Sequence, residues 1–476
     1  MQKSNVVALI VASAFFMQGM DSTIVATALP QIATSFGEDP VRLSGAITSY
    51  IMSLAVFIPI SGWMADRFGS RTIFQAAIVF FLIGSTICAA STNVVQLDIA
   101  RMLQGVGGAM LVPVGRLVML RTVGKAGLVA AMAVLSVPAQ MGPLLGPPVG
   151  GLIVTYLSWR WIFLVNLPIG VVGLILASIH IKNFRETARP PLDWTGFVLS
   201  GSGLACVMYG LDAIGRSRSD PRVGGVILAT GVVLGAISIW HARRATHPLI
   251  DLSLIKIPTF AANFWGGTLF RVGLGTLSFL LPLLFQIGFG MSPAASGLLI
   301  FGSALGAVAM KATTPPILRR WGFRKVVIFN GILAALSLVA CGLFQPTTPI
   351  WIILPVLLIS GFVQSLQFSA LNSLPYSDVP APQMSAATSL SQLMQQVGKG
   401  VGVATAASLL NLTLAWRGGT ELTSFEFQVA FFVSAAMSLM SILFFLPLQK
   451  YAGSEMSGHK RRSRDEAGET VSPSTK

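Results

Sequence analysis

The chain has 476 residues, 53% of them hydrophobic and only 10% charged, with a mean hydropathy of +0.75. Soluble domains carry roughly 25% charged residues, so a soluble fold of this size would lack the charges to cover its surface. A net charge of +15 would suggest nucleic acid in a soluble protein. Here the basic residues sit in short loops between apolar runs, where they set topology instead.

In chain order, apolar segments lie near 5–29, 43–64, 72–90, 97–119, 127–153, 159–180, 194–214, 223–242, 259–288, 294–315, 326–344, 349–371, 385–411 and 426–449. Each is long enough to cross a hydrocarbon core as a helix, and the ten-residue alternation of a membrane β-barrel is absent. The expected fold class is therefore an all-α membrane protein with about fourteen transmembrane helices. Lys3, the following apolar stretch and Ala26-Thr27-Ala28 imitate a signal peptide. That stretch is too long and is interrupted by Asp21, so it reads as a retained first span.

An even number of spans puts both termini on one side. With the termini inside, Arg67, Arg71, Arg121, Lys125, Lys182, Arg243, Arg244, Arg319, Arg320, Arg324 and Lys325 all face the cytoplasm. The outer loops keep only Arg42, Arg160, Arg216, Arg218, Arg222 and Arg417. This asymmetry places both termini in the cytoplasm. The charged tail 450–476 reads as disordered, and its Lys460–Arg464 cluster could also touch anionic lipid.

Two of the cytoplasmic loops repeat. Asp66-Arg67-Phe68-Gly69-Ser70-Arg71 and Arg319-Arg320-Trp321-Gly322-Phe323-Arg324 align at an offset of 253 residues. Basic, aromatic, glycine and basic positions coincide. The expected plan is two six-helix pseudo-repeat bundles, 1–180 and 259–449, with two inserted helices in 181–258 and a cytoplasmic tail at 450–476. Parallel repeats with a midplane site between them are a recurring transporter plan.

Gly62-Trp63-Met64-Ala65-Asp66-Arg67-Phe68-Gly69-Ser70-Arg71 resembles the loop signature of the major facilitator superfamily. Arg101-Met102-Leu103-Gln104-Gly105 resembles its fourth-span signature, and Gly142-Pro143-Leu144-Leu145-Gly146-Pro147-Pro148-Val149-Gly150-Gly151 its fifth-span antiporter pattern. The stretches from Asp21 to Pro30 and from Trp159 through Asn166 to Pro168 resemble the fourteen-span drug:proton antiporter branch. Ala26-Thr27 departs from that branch, where an asparagine is common. The resemblance implies a multidrug-efflux type of proton antiporter in a bacterial inner membrane. It would work as a monomer on a small-molecule substrate among membrane lipids, with the proton as coupling ion and no other cofactor. It leaves room for a periplasmic adaptor protein.

Each motif also has a physical reading. Gly142, Gly146 and Gly150 share one helix face and admit a second backbone. Pro143 and Pro147 bend their helix, and Gly151 extends the small face. Such a helix could serve as a rocking surface or simply pack tightly. Asp66 sits at the membrane boundary, where it can accept from Arg67, Arg71 or a helix N-terminus. With Gly62 and Gly69 it forms the first gating loop, and Arg319, Arg320, Gly322 and Arg324 form the second. Because Arg319 replaces the acid, the two loops differ chemically.

Asp21 lies in the outer half of the first span, where an ionised carboxylate is costly and a proton becomes accessible to it. The alternative is permanent pairing with Arg101 or fixing by Thr23. Arg101 resembles the family arginine linked to proton handling. Arg271, Lys311 and Lys399 are cations inside later spans, and such residues usually face a cavity or a partner. Arg271 and Lys399 lie roughly 18–21 Å from the cytoplasmic end. With Gln104, Gln286 and Gln395 they form the expected substrate cavity. A cavity holding three cations would favour an anion, which gives a second reading: a transporter of an anionic metabolite.

Cys88, Cys206 and Cys341 fall within apolar runs and offer no disulfide or zinc framework. No phosphate-binding glycine loop, metal cluster or nucleophile–His–acid set is present in the sequence, which points to a secondary transporter rather than an enzyme or an ATP-driven pump.

Overall fold

The computed structural model describes residues 3–185, 191–214, 221–246, 248–380, 383–419, 421–449 and 451–454. Every regular element among them is helical, as a chain in hydrocarbon requires, because each backbone N–H and C=O must be satisfied within its own segment. The helices are α1 (Lys3–Phe36), α2 (Ser44–Phe68), α3 (Ser70–Ala90), α4 (Val94–Tyr156), α5 (Trp161–Leu164), α6 (Asn166–His180) and α7 (Trp194–Ile214). They continue with α8 (Pro221–Ala242), α9 (Pro258–Ala262), α10 (Thr268–Leu283), α11 (Pro293–Gly342), α12 (Ile350–Ser373), α13 (Met384–Arg417) and α14 (Ser424–Met440). Polar side chains start several of them. Asn93 accepts from the Gln96 N–H, Ser292 from the Ala295 N–H, and Thr423 and Glu426 form a reciprocal capping box.

Twelve helices among the described residues are long and apolar enough to cross a membrane. That is fewer than the sequence segments, because α4 and α11 are each continuous where separate spans were expected. Neither is a straight rod. Gly115 packs on Val11 and Phe15, while Gly142 packs on the backbone of Phe16 and Met20. A straight helix would hold residues 115 and 142 about 40 Å apart. The order of contacts reverses as well: Arg101 meets Asp21 and Gly115 meets Val11, whereas Gly142 meets Phe16 and Gly150 meets Ile24. Two antiparallel arms of α4 thus flank α1.

The same holds for α11. Gly306 abuts the backbone of Leu358 and Phe362, and the Ser337 and Ser360 hydroxyls lie 3.2 Å apart. The chain turns at Gly322, whose φ of 71° and ψ of 163° leave the helical region. Gly69, at the matching place between α2 and α3, has φ 101° and ψ 136°. Only glycine adopts this backbone cheaply. The following arginines correspond too. Arg71 donates to the Ile181 carbonyl at 3.5 Å beyond α6, and Arg324 donates to the Leu446 carbonyl at 2.9 Å beyond α14.

Between residues 181 and 258, α7 and α8 pair through close glycine contacts. Gly203 meets Leu234 and Gly235, Gly210 meets Leu228, and Gly231 meets Val207. The pair is held at the α7 end: Ser44 of α2 donates to Asp212 at 2.9 Å, and Ser408 of α13 donates to the Leu211 carbonyl at 3.1 Å. About half of the residues of α8 are exposed and few are fully buried. The tail from residue 455, expected to be disordered, lies outside the described residues.

Candidate functional site

Asp21 is fully buried, and α1, α2, α3, α4 and α6 converge around it. Arg101 Nη1 donates to its Oδ2 at 2.6 Å. Gln104 Nε2 donates to Oδ1 at 2.8 Å, and Asn166 Nδ2 donates to the same oxygen at 3.1 Å. Arg101 and Gln104 are one helical turn apart on α4, which presents both to α1. Arg101 is held further by the Ala46 carbonyl at 3.1 Å and by Gln104 Oε1 at 2.5 Å. Its guanidinium lies 4.1 Å from the Tyr50 ring centroid and 5.9 Å from that of Phe163. Ser85 accepts from both Gln104 and Asn166. A buried ion pair survives only when its remaining donors and acceptors are satisfied, and α2, α3 and α6 supply them.

A central cavity of about 450 Å³ lies on the other side of Tyr50. That size suits a drug-sized ligand. Its walls come from α1 (Gln18, Ser22, Thr23), α2 (Tyr50, Leu54), both arms of α4, and α10, α11 and α13. They are mainly apolar. Two charged side chains line it, Arg116 of α4 and Lys399 of α13, and the lining contains no carboxylate.

Of the six cavity residues expected from sequence, only Lys399 lines this cavity. Gln104 is committed to Asp21. Arg271 is buried behind the wall, 3.3 Å from Asn372 Oδ1 and 3.4 Å from Asn263 Oδ1, because α10 turns it into its own bundle. Gln286 donates to the Thr27 carbonyl at 2.9 Å, tying α1 to the stretch after α10. Lys311 is exposed on α11. Gln395 misses by one position, and Gln396 takes its place. Arg116 was visible in the sequence only as a further cation inside an apolar run. Asn166 stood within a recognised motif, but nothing in the sequence aimed it at Asp21.

The residues expected to form gating loops separate similarly. Asp66 pairs not with Arg67 or Arg71 but with Arg121 of α4, at 2.7 Å. The reason is that Arg67 turns to the Trp63 ring, at 5.5 Å, and Arg71 reaches the Ile181 carbonyl. Arg121 also donates to the Phe184 carbonyl at 3.3 Å, and the Asn183 side chain closes against Gly69. Gly62 has open space around it, and Arg319 and Arg320 are exposed. In the glycine–proline arm, Gly142, Gly146 and Gly150 all pack on α1. Gly151 turns the other way, onto Pro293 and Ala294 of α11, where Gly297 in turn meets the backbone of Pro147 and Pro148. Thr155 accepts from the Ala294 N–H at 3.0 Å. One arm therefore contacts α1 on one face and α11 on the other.

The sequence profile of the Major Facilitator Superfamily matches residues 11–403. The chain belongs to the major facilitator superfamily. It is 41% identical over 408 residues to a multidrug resistance protein named MdtD from Salmonella paratyphi A, covering 85% of this chain and 86% of the relative. The corresponding protein of Cronobacter sakazakii is 40% identical over 402 residues, covering 84% and 85%. Among solved structures, an auto-inhibited POT family peptide transporter aligns with a TM-score of 0.69 at 17% identity, covering 100% of this chain and 99% of that one. A D-xylose–proton symporter aligns with a TM-score of 0.67 at 15% identity, covering 94% and 98%. At such identities the structures show the superfamily's fold alone. The superfamily is one of transporters, and this chain is a multi-pass membrane transporter.

Proposed function

We propose that the chain is a proton-coupled antiporter that exports small organic or drug-like solutes by alternating access. The observation that carries this reading is the buried Asp21–Arg101–Gln104–Asn166 cluster, separated from the central cavity by Tyr50. The bacterial relatives named as multidrug resistance proteins support a drug-like substrate.

The proposed cycle follows from the hydrogen bonds. Every group facing the Asp21 carboxylate in these contacts is a donor. A proton placed on Oδ2 sets an O–H against an Arg101 N–H, so that contact must open. Arg101 stays against the Tyr50 ring as it moves off the carboxylate, and because Tyr50 lines the cavity, that shift moves the cavity wall. Proton arrival thereby changes the cavity, and proton loss restores it.

In this reading the two antiparallel arms of α4, and the two arms of α11 about Gly322, each count as two spans, giving fourteen. The matched glycines and arginines at 69 and 322 and at 71 and 324 support two bundles, 1–180 and 259–449, with α7 and α8 inserted. The positive-inside distribution supports cytoplasmic termini, and the bacterial relatives support an inner-membrane location. The Gln286–Thr27 and Ala294–Thr155 hydrogen bonds between bundles then lie on the outer side, while Asp66 pairs within its own bundle. That is an inward-facing arrangement. The transporter acts as a monomer among lipids, with the proton as its only cofactor.

Expression in an efflux-deficient bacterium tests the proposal. Accumulation of fluorescent organic solutes should fall for at least one member of a panel and recover when an uncoupler is added. Lower accumulation that ignores the uncoupler would contradict proton coupling.

A further inference from the structure

Arg116 and Lys399 reach the cavity from opposite bundles, one on the first arm of α4 and the other on α13. Among the described residues neither makes an ion pair with a carboxylate; the contact recorded for Lys399 is the Phe368 ring, 6.0 Å away. Arg116 is exposed to the cavity, and Lys399 is half-buried. Arg271 stands behind them as a third cation, with Gly398, the neighbour of Lys399, packed against its Cβ. Its partners there are neutral asparagine oxygens. Asp21, the acid on the far side of Tyr50, is turned away from the cavity and held by Arg101.

A low-dielectric cleft lined by one sign of charge concentrates the opposite sign. Cations unpaired within a membrane protein face a cavity, a pathway or a partner. The remaining lining is uncharged and mainly apolar, with Ile51, Leu54, Phe279, Leu281, Ile300 and Val403 beside polar groups such as Gln18, Thr23 and Gln396. The complementary solute has an apolar body and more than one negative group.

We propose that this cavity binds amphipathic organic anions, with Arg116 and Lys399 each holding one anionic group. This rests on the transport reading above and assigns its substrate class. A dianion bridging the two side chains links the bundles directly, so its binding energy acts on the motion that carries it across. A lipophilic cation would meet two like charges and no counter-charge.

The test uses the full-length purified protein and naphthalene-2,6-dicarboxylate, a fluorescent dianion, with tetraphenylphosphonium as the opposite-charge probe. Equilibrium binding should be saturable for the dianion. Arg116→Gln and Lys399→Gln should each weaken it about tenfold or more, the size expected for losing a charge-assisted hydrogen bond. Arg116→Lys and Lys399→Arg should retain most of the affinity, which separates lost charge from lost folding. Equilibrium binding is read without any pH gradient, so a failure of proton coupling leaves this assignment standing. Saturable binding of tetraphenylphosphonium without dianion binding would overturn it and leave proton-coupled export intact. Dianion binding indifferent to both glutamine variants would also overturn it, as would no dianion binding by protein that elutes as a folded species.

Discussion

Arg101 and Asp21, eighty positions apart in sequence, meet at 2.6 Å with both side chains buried. Arg101 reaches Asp21 from the arm of α4 that runs antiparallel to α1, and Gln104, one turn further on, takes the second carboxylate oxygen. Removing one partner from such a pair leaves an uncompensated buried charge, at a cost of about 3–5 kcal/mol. Arg101→Ala should therefore lower thermal stability sharply in detergent. Asp21→Asn strands the buried Arg101 cation and should lower it as well, while the double variant should lose less than the sum of the two. A melt comparison of the three variants with the wild type checks this, and additive effects would count against the ion pair as described.

Gly297 offers a test of the contact between bundles. A Cβ there would press on the backbone of Pro147 and Pro148. In the proposed inward-facing orientation, Gly297→Val should keep the outer side from closing, because overpacking at a backbone contact costs about 1–3 kcal/mol. A cysteine at Ser22, within the cavity wall, should then react faster with a membrane-impermeant thiol reagent added outside. Unchanged labelling would show that the contact does not gate access.

The Asp66–Arg121 pair is of another kind. Asp66 is 42% exposed, and such pairs contribute about 0–1 kcal/mol. Asp66→Asn should barely shift the melting temperature yet slow transport, if the loop acts during the cycle rather than in folding. Measuring melting and efflux on the same preparation separates the two roles.

Asp193, just before α7, accepts from the Gly196 N–H at 2.8 Å, from His241 at 2.8 Å and from the Leu249 N–H at 3.3 Å. Burial raises its pKa, but those hydrogen bonds outweigh burial and hold the carboxyl below its ordinary value. A depressed carboxylate stabilises the folded state above its unfolded pKa of about 3.9, and that stability is lost as pH falls through the lower folded value. The melting temperature of Asp193→Asn should thus fall below the wild type near neutrality, with the gap closing in acid. A gap that widens in acid would contradict this.

The fold was largely legible because its signals are local. Apolar runs long enough to cross a membrane mark the helices, and a glycine flanked by basic residues marks both tight turns, where Gly69 and Gly322 adopt positive φ. The arms of α4 and α11 were read as spans, but their helical continuity was not, since continuity depends on the backbone rather than on hydropathy. The candidate site was legible by residue type and illegible by direction. Asp21, Arg101 and Gln104 stood out singly, yet which cation would meet the acid depends on how α4 turns against α1. Arg271 and Arg116 look alike in sequence, each a lone arginine in an apolar run. Helix rotation sends Arg116 into the cavity and Arg271 into its own bundle.

The most direct test of the central claim is proton movement in inverted membrane vesicles, with lipophilic cations and organic anions added in turn to the wild type and to Asp21→Asn. The account predicts that a transported solute dissipates the pH gradient with the wild type and leaves it standing with the variant. Equal dissipation by both proteins would remove Asp21 from proton coupling and contradict the mechanism.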